Sequence, residues 1–104
     1  MIITMRTLQV AQGKRPEALE WARRHAKWAR DKYPKPNYRL LEDVLGDHTV
    51  FHFMGEFESL GAWESQSEKI TADPEYEAFG AEGRKKGLFT VDRSVTKGYR
   101  VLVG

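Results

Sequence analysis

Thr49-Val50-Phe51-His52-Phe53-Met54-Gly55-Glu56-Phe57 is the stretch on which the reading of this chain turns. In a β-strand, successive side chains point to opposite faces. Phe51, Phe53 and Phe57 then share one face, and Val50, His52 and Met54 share the other. Both faces are substantially apolar, so both need cover. The rest of the chain offers two helical segments, enough for one face of a four-stranded sheet. The other face calls for a further partner, and a second copy of the chain is the economical one.

Working back from that strand, Gly46-Asp47 predicts a hairpin turn, with strand two over about Asn37 to Leu45 and strand three over about His48 to Phe57. Pro34 and Pro36 stop the preceding helix, which runs from about Pro16 to Lys32. Pro16 suits its first position and Glu17 its dipole. Leu19, Ala22, Ala26, Ala29 and Tyr33 recur at helical spacing and form its predicted buried stripe. Trp21, His25 and Trp28 form a second stripe, read chiefly as packing against a neighbour, with an active role for His25 as the alternative. Ile2 to Val10, β-branched and apolar, is strand one, closed by Gln12-Gly13-Lys14.

Working forward, Ser59 is the expected N-cap of helix two, with Leu60, Trp63, Ser67 and Ile70 on one face. Asp73-Pro74 predicts a fresh cap and a break, followed by a short helix with Tyr76 and Phe79 inward, ended by Gly80, Gly83 and Gly87 with Arg84-Lys85-Lys86 in the turn. Strand four is expected over about Leu88 to Val95, with an extension through Tyr99 to Val103. The order β-α-β-β-α-β is the ferredoxin-like plan of class α+β: an antiparallel four-stranded sheet with both helices on one face.

The 104 residues form a single expected domain, 1–104. A chain of this size buries roughly 65% of its unfolded surface, enough for one modest core. The net charge of +2 is too small to argue for nucleic acid. With no cysteine, disulfide frameworks, thiolate zinc sites and cysteine nucleophiles are excluded. Arg6 interrupts an N-terminus that reads as neither a signal peptide nor a membrane span, so the expected location is cytoplasmic, with no membrane partner.

Three segments carry a resemblance. Ile3-Thr4-Met5-Arg6-Thr7-Leu8-Gln9-Val10 followed by Gly13-Lys14 resembles the opening strand and turn of NIPSNAP proteins, with Gln12 where proline is usual. Phe57-Glu58-Ser59-Leu60 with Trp63, and Ala72-Asp73-Pro74-Glu75-Tyr76, resemble the second helix and its break in the dimeric α/β-barrel superfamily, including its antibiotic-biosynthesis-monooxygenase-like branch. The resemblance covers nearly the whole chain. It implies a homodimer whose two sheets face each other around a small-ligand cavity. It also implies a choice between a cofactor-free monooxygenase or isomerase and a non-catalytic binding or structural homodimer. Fold does not decide among these. Haem degradation in this superfamily uses a histidine on the second-helix side, and no histidine follows His52.

The candidate site residues come from the strands. His52, mid-strand and opposite the phenylalanines, is the candidate catalytic base, against a structural role. His48 lies on the same face, but about 13 Å away at the usual strand rise, so the two share no metal. Arg6 is expected on the cavity face, because a charge under the helices is costly. It reads equally as an anion clamp or as a salt bridge to Glu56 or Glu42. With Arg6 go Leu8, Val50, Met54 and Glu56 as the expected ligand-binding set. No metal and no cofactor are expected. RNA binding, invited by Phe51 and Phe53, lacks the basic-glycine motif and a strand-one aromatic. The expected partners are a second copy of the chain and a small organic molecule.

Overall fold

In the computed structural model, residues 1–90 and 94–104 are described. The elements run β1 (Ile2–Gln9), α1 (Arg15–Lys32), β2 (Arg39–Glu42), β3 (Val50–Phe57), α2 (Leu60–Thr71), α3 (Pro74–Lys86) and β4 (Val95–Arg100). The sheet is antiparallel, in the order β2-β3-β1-β4. The helices cover one face. This is the α+β, ferredoxin-like plan, with its second helix broken at Asp73-Pro74. The break is built as residue chemistry dictates: Pro74 has no N–H to donate backwards, and the Asp73 carboxylate accepts from the Glu75 N–H at 2.9 Å. Ser59 caps α2 in the same way, accepting from the Ala62 N–H at 3.1 Å.

The core forms where α1 crosses β1 and β3. Leu8, Val10, Phe51 and Leu88 meet Ala18, Trp21 and Ala22 there, all buried. The alanines let the helix approach the sheet, and Trp21 fills the gap toward α3. Its indole N–H donates to the Phe79 carbonyl at 2.9 Å. Trp21 and His25 are therefore part of the buried face of α1, which is broader than the predicted stripe and includes Ala18.

Several boundaries differ from expectation. β2 is only Arg39–Glu42, and no tight hairpin follows it. Residues 43–49 form a longer loop, because Asp43 and Asp47 take up local backbone donors: Asp47 N–H to Asp43 at 3.1 Å, and Thr49 N–H to Asp47 at 2.8 Å. Gly80 and Gly83 do not end α3. The helix runs on to Gly87, whose φ of +61° makes the left-handed C-cap, so Arg84, Lys85 and Lys86 form its last turn and complement its dipole. The strand-four register also shifts. Leu88 is sealed in the core and Phe89 bridges Val10, but the ladder proper pairs Thr7 with Val95 through Ile2 with Arg100. Part of the expected strand, Val91 to Arg93, lies outside the described residues.

The register also corrects the assignment of faces. β1 pairs with β3 so that Arg6 opposes Phe53, Leu8 opposes Phe51 and Thr7 opposes His52. Directly paired residues share a face. Arg6 and Leu8 therefore lie with the phenylalanines on the helix-covered face, while Val50, His52, Met54 and Glu56 lie on the open one. The expected single constellation of Arg6, Leu8, Val50, His52, Met54 and Glu56 is split by the sheet.

Candidate functional site

Small residues make the cavity. On the helix-covered face, β1 presents Thr4 and β3 presents Gly55; above them α1 presents Ala29 and α2 presents Ser67. Where four short side chains converge, the layers cannot touch, and a cavity of about 280 Å³ remains. Phe53, Phe57, Tyr38, Trp63 and Tyr76 ring it. Gly55 is required there. A Cβ on it would stand 3.0 Å from the Phe57 ring and 3.1 Å from the Tyr38 ring. α2 roofs the space without sealing it, contributing no fully buried residue. Trp63 and Ile70 point in from that helix, which accounts for the apolar stripe in its sequence.

Among the polar groups that line this space, Arg6, His25 and Tyr38 bear on its chemistry. Arg6 stands at the mouth. Its charge is tolerated under the helices because β4 is the edge strand and places Thr96 beside it, so the guanidinium stays in contact with solvent. It donates to the Tyr76 hydroxyl at 2.9 Å. Neither carboxylate expected as its partner is available: Glu56 pairs with Arg39 at 2.7 Å and Glu42 with Arg15 at 2.6 Å. Among the described residues, Arg6 has no carboxylate partner.

His25 is the second group. It is 7% exposed, and its Nδ1 is buried with no hydrogen-bond partner among the described residues. Its ring stacks on Phe79, with centroids 4.9 Å apart and planes 9° apart, and lies 5.5 Å from the Tyr76 ring. Burial, and secondarily the Arg6 charge, push its pKa down to about 4, so it is a neutral imidazole near neutral pH. Tyr38 is the third. Burial pushes its phenol up to about 12, which keeps it a neutral hydroxyl.

His52, the expected base, sits elsewhere. On the open face its Nδ1 lies 2.8 Å from the Thr7 hydroxyl and its Nε2 lies 2.7 Å from an Asp43 carboxylate oxygen. The carboxylate can only accept, so Nε2 carries a proton and donates to it, and in the neutral ring Nδ1 accepts from the Thr7 hydroxyl. Both ring nitrogens are thus engaged within the protein. Leu8 is also withdrawn from any ligand, sealed in the core at 4% exposure. Sequence reasoning named Arg6 and raised an active role for His25, but did not bring them together. Tyr38 and Gly55 were not singled out as site residues, and a glycine between two aromatics of one strand face was the available sign of a void.

With this geometry in view, the solved structures are informative. An uncharacterised NIPSNAP domain protein from Burkholderia xenovorans superposes with a TM-score of 0.75 at 21% identity, over 97% of this chain and 94% of that one. The fold is the NIPSNAP-like one. A NIPSNAP family protein of unknown function from Agrobacterium tumefaciens gives 0.78 at 18% identity, over 97% and 87%. A Deinococcus radiodurans protein, provisionally assigned as an antibiotic biosynthesis monooxygenase, gives 0.72 at 17%, over 100% and 95%. At these identities the likeness is one of fold. No known family's sequence profile matches the chain, and no curated protein matches it. Among the described residues, no helix is long and apolar enough to cross a membrane.

Proposed function

We propose that this protein binds a small, flat organic molecule in the cavity beneath α2. The observation that carries the reading is the cavity itself: about 280 Å³, walled by aromatic rings, with one cation at its mouth. Apolar walls with a few placed polar groups are the usual composition of a small-molecule site. Its catalytic form is a cofactor-free oxygenation or isomerisation of the bound molecule, supported by the provisional monooxygenase assignment of a protein of the same fold. Its alternative is binding without turnover.

The test fills the cavity from its roof. Bicyclic aromatic fragments, screened by saturation-transfer NMR, are expected to bind the wild type and to be lost from Ser67→Trp, which fills the space from α2. Binders unaffected by Ser67→Trp, or no aromatic binder at all, would overturn the reading. Aerobic incubation of a binder, followed by mass spectrometry, separates the forms: turnover is marked by an isomer, or by a product that has gained one oxygen and lost two hydrogens, the substrate itself supplying the two electrons that reduce the second oxygen atom of O2 to water.

A second reading rests on the open face of the sheet. Met5, Met54 and Leu41 stand there half-buried, and Val95 and Tyr99 are 49% and 50% exposed. An apolar sheet face of this kind supports a homodimer built sheet against sheet. His52, Val50 and Glu56 then belong to the interface or to a space enclosed by it.

A further inference from the structure

We propose that the cavity takes an aromatic acid, its acidic oxygen held between the Arg6 guanidinium and the His25 imidazole, and that binding draws a proton from solvent onto His25. This rests on the reading of the cavity as a small-molecule site and names the class of molecule.

The geometry makes the argument. A buried imidazole nitrogen without a partner is costly, and native proteins rarely keep one without a reason. His25 stands in the wall of a cavity, with Arg6 and Tyr76 lining the same space. Tyr76 joins the two, its hydroxyl on Arg6 and its ring against His25. Arg6, with no carboxylate partner among the described residues, supplies a charge that an anionic ligand would complement. The aromatic walls select for a flat ring.

The proton follows from electrostatics. The groups facing His25 are Arg6 from β1, Tyr76 from α3, and Tyr38 ahead of β2; β3 presents Phe53, and α1 and α2 present uncharged side chains toward it. Among the described residues, the one full charge facing it is cationic, that of Arg6. It opposes protonation in the empty site, and burial opposes it further. An anion placed between the two cancels the Arg6 field and favours the imidazolium, so its affinity rises as pH falls.

The probes are 1-naphthoate, ionised throughout the range used, and the uncharged 1-naphthamide, titrated by calorimetry from about pH 7 to about pH 5, around the range in which histidine ordinarily titrates. Naphthoate is expected to bind more tightly to the wild type as pH falls, approaching ~tenfold per pH unit for one linked proton. Its heat should depend on the buffer's ionisation enthalpy, showing proton uptake. Naphthamide should show neither effect. Arg6→Met should weaken naphthoate on the order of tenfold and leave naphthamide unchanged. His25→Gln, which can hydrogen-bond but not titrate, should keep naphthoate binding with a flat pH profile, and His25→Phe checks the flat profile in a packed variant. Equal, pH-independent binding of both probes would overturn this inference and leave the cavity reading standing. A pH profile that survives in His25→Gln would overturn it as well. Binding of neither probe would count against the cavity reading and take this inference down with it.

Discussion

At the scale of single residues, His25 is where this sequence departs most clearly from what stability alone would select. A neighbourhood of Trp21, Phe53, Trp28, Tyr76 and Phe79 suits a phenylalanine, yet the residue is an imidazole with Nδ1 unsatisfied. Removing an unsatisfied buried polar group recovers its desolvation cost. His25→Phe is therefore expected to stabilise the protein by about 1 kcal/mol at neutral pH, read by denaturant unfolding. The gain should grow in acid. The folded-state pKa lies below the ordinary 6.5, at about 4. The unfolded chain thus takes up the proton first, and wild-type stability falls as pH drops through that window. A variant less stable than the wild type at both pH 7 and pH 5 would mean that the imidazole has a structural partner after all. Gly55 makes the complementary case. Its Cβ-free surface is needed by two rings at 3.0 and 3.1 Å, so Gly55→Ala is expected to cost about 1–3 kcal/mol through overpacking and to reshape the cavity floor.

At the scale of elements, the break between α2 and α3 does more than turn the chain. Asp73 caps α3, accepts from the Tyr33 hydroxyl at 2.6 Å, and meets Lys32 Nζ at 2.8 Å, tying the break to the end of α1. Lys32, then Tyr33, hold its carboxyl down at about 2. A depressed carboxylate contributes stability above its ordinary value near 3.8, and that contribution is lost as pH falls from there toward 2. Acid unfolding should accordingly steepen in that interval, and Asp73→Asn, which keeps the cap but not the charge, should flatten it. An unchanged acid limb in Asp73→Asn would show that the ion pair contributes little. This element was legible in the sequence, because Asp-Pro after an amphipathic run has one physical reading. The face of β1 was legible too, but misread. Ile2, Leu8 and Val10 share the parity of Arg6, and these aliphatics outweigh one arginine in choosing the buried side. What the sequence could not display is that β4 is an edge strand that sets Thr96 opposite Arg6, with Gly98 opposite Thr4 next along the same face, leaving the guanidinium a route to water. The hairpin failed for a related reason: Asp43 and Asp47 satisfy the loop backbone with their side chains, and periodicity does not register that.

At the scale of the molecule, the two faces of one sheet divide the work. The helix-covered face holds the cavity wholly within one chain; the open face holds Met5, Met54, Leu41, Val95 and Tyr99 around the Arg39–Glu56 ion pair. The two proposals are therefore separable. A sheet-to-sheet homodimer should show twice the 12.0 kDa chain mass in light scattering at micromolar concentration. Met54→Asp would place an unpaired carboxylate at the centre of that interface, where burying it is strongly unfavourable. The expected outcome is a shift to the monomer mass without unfolding, since in the monomer this face is open to water. A wild type of monomer mass would remove the dimer reading, as would a Met54→Asp variant that stays dimeric. The same variant probes the cavity. Its walls come from one chain and lie across the sheet from Met54, so naphthoate should bind monomeric Met54→Asp as tightly as the wild type. If dissociation abolished binding while circular dichroism stayed native, the site would need the second chain, and the ligand would have to be sought between the sheets, near His52 and Glu56.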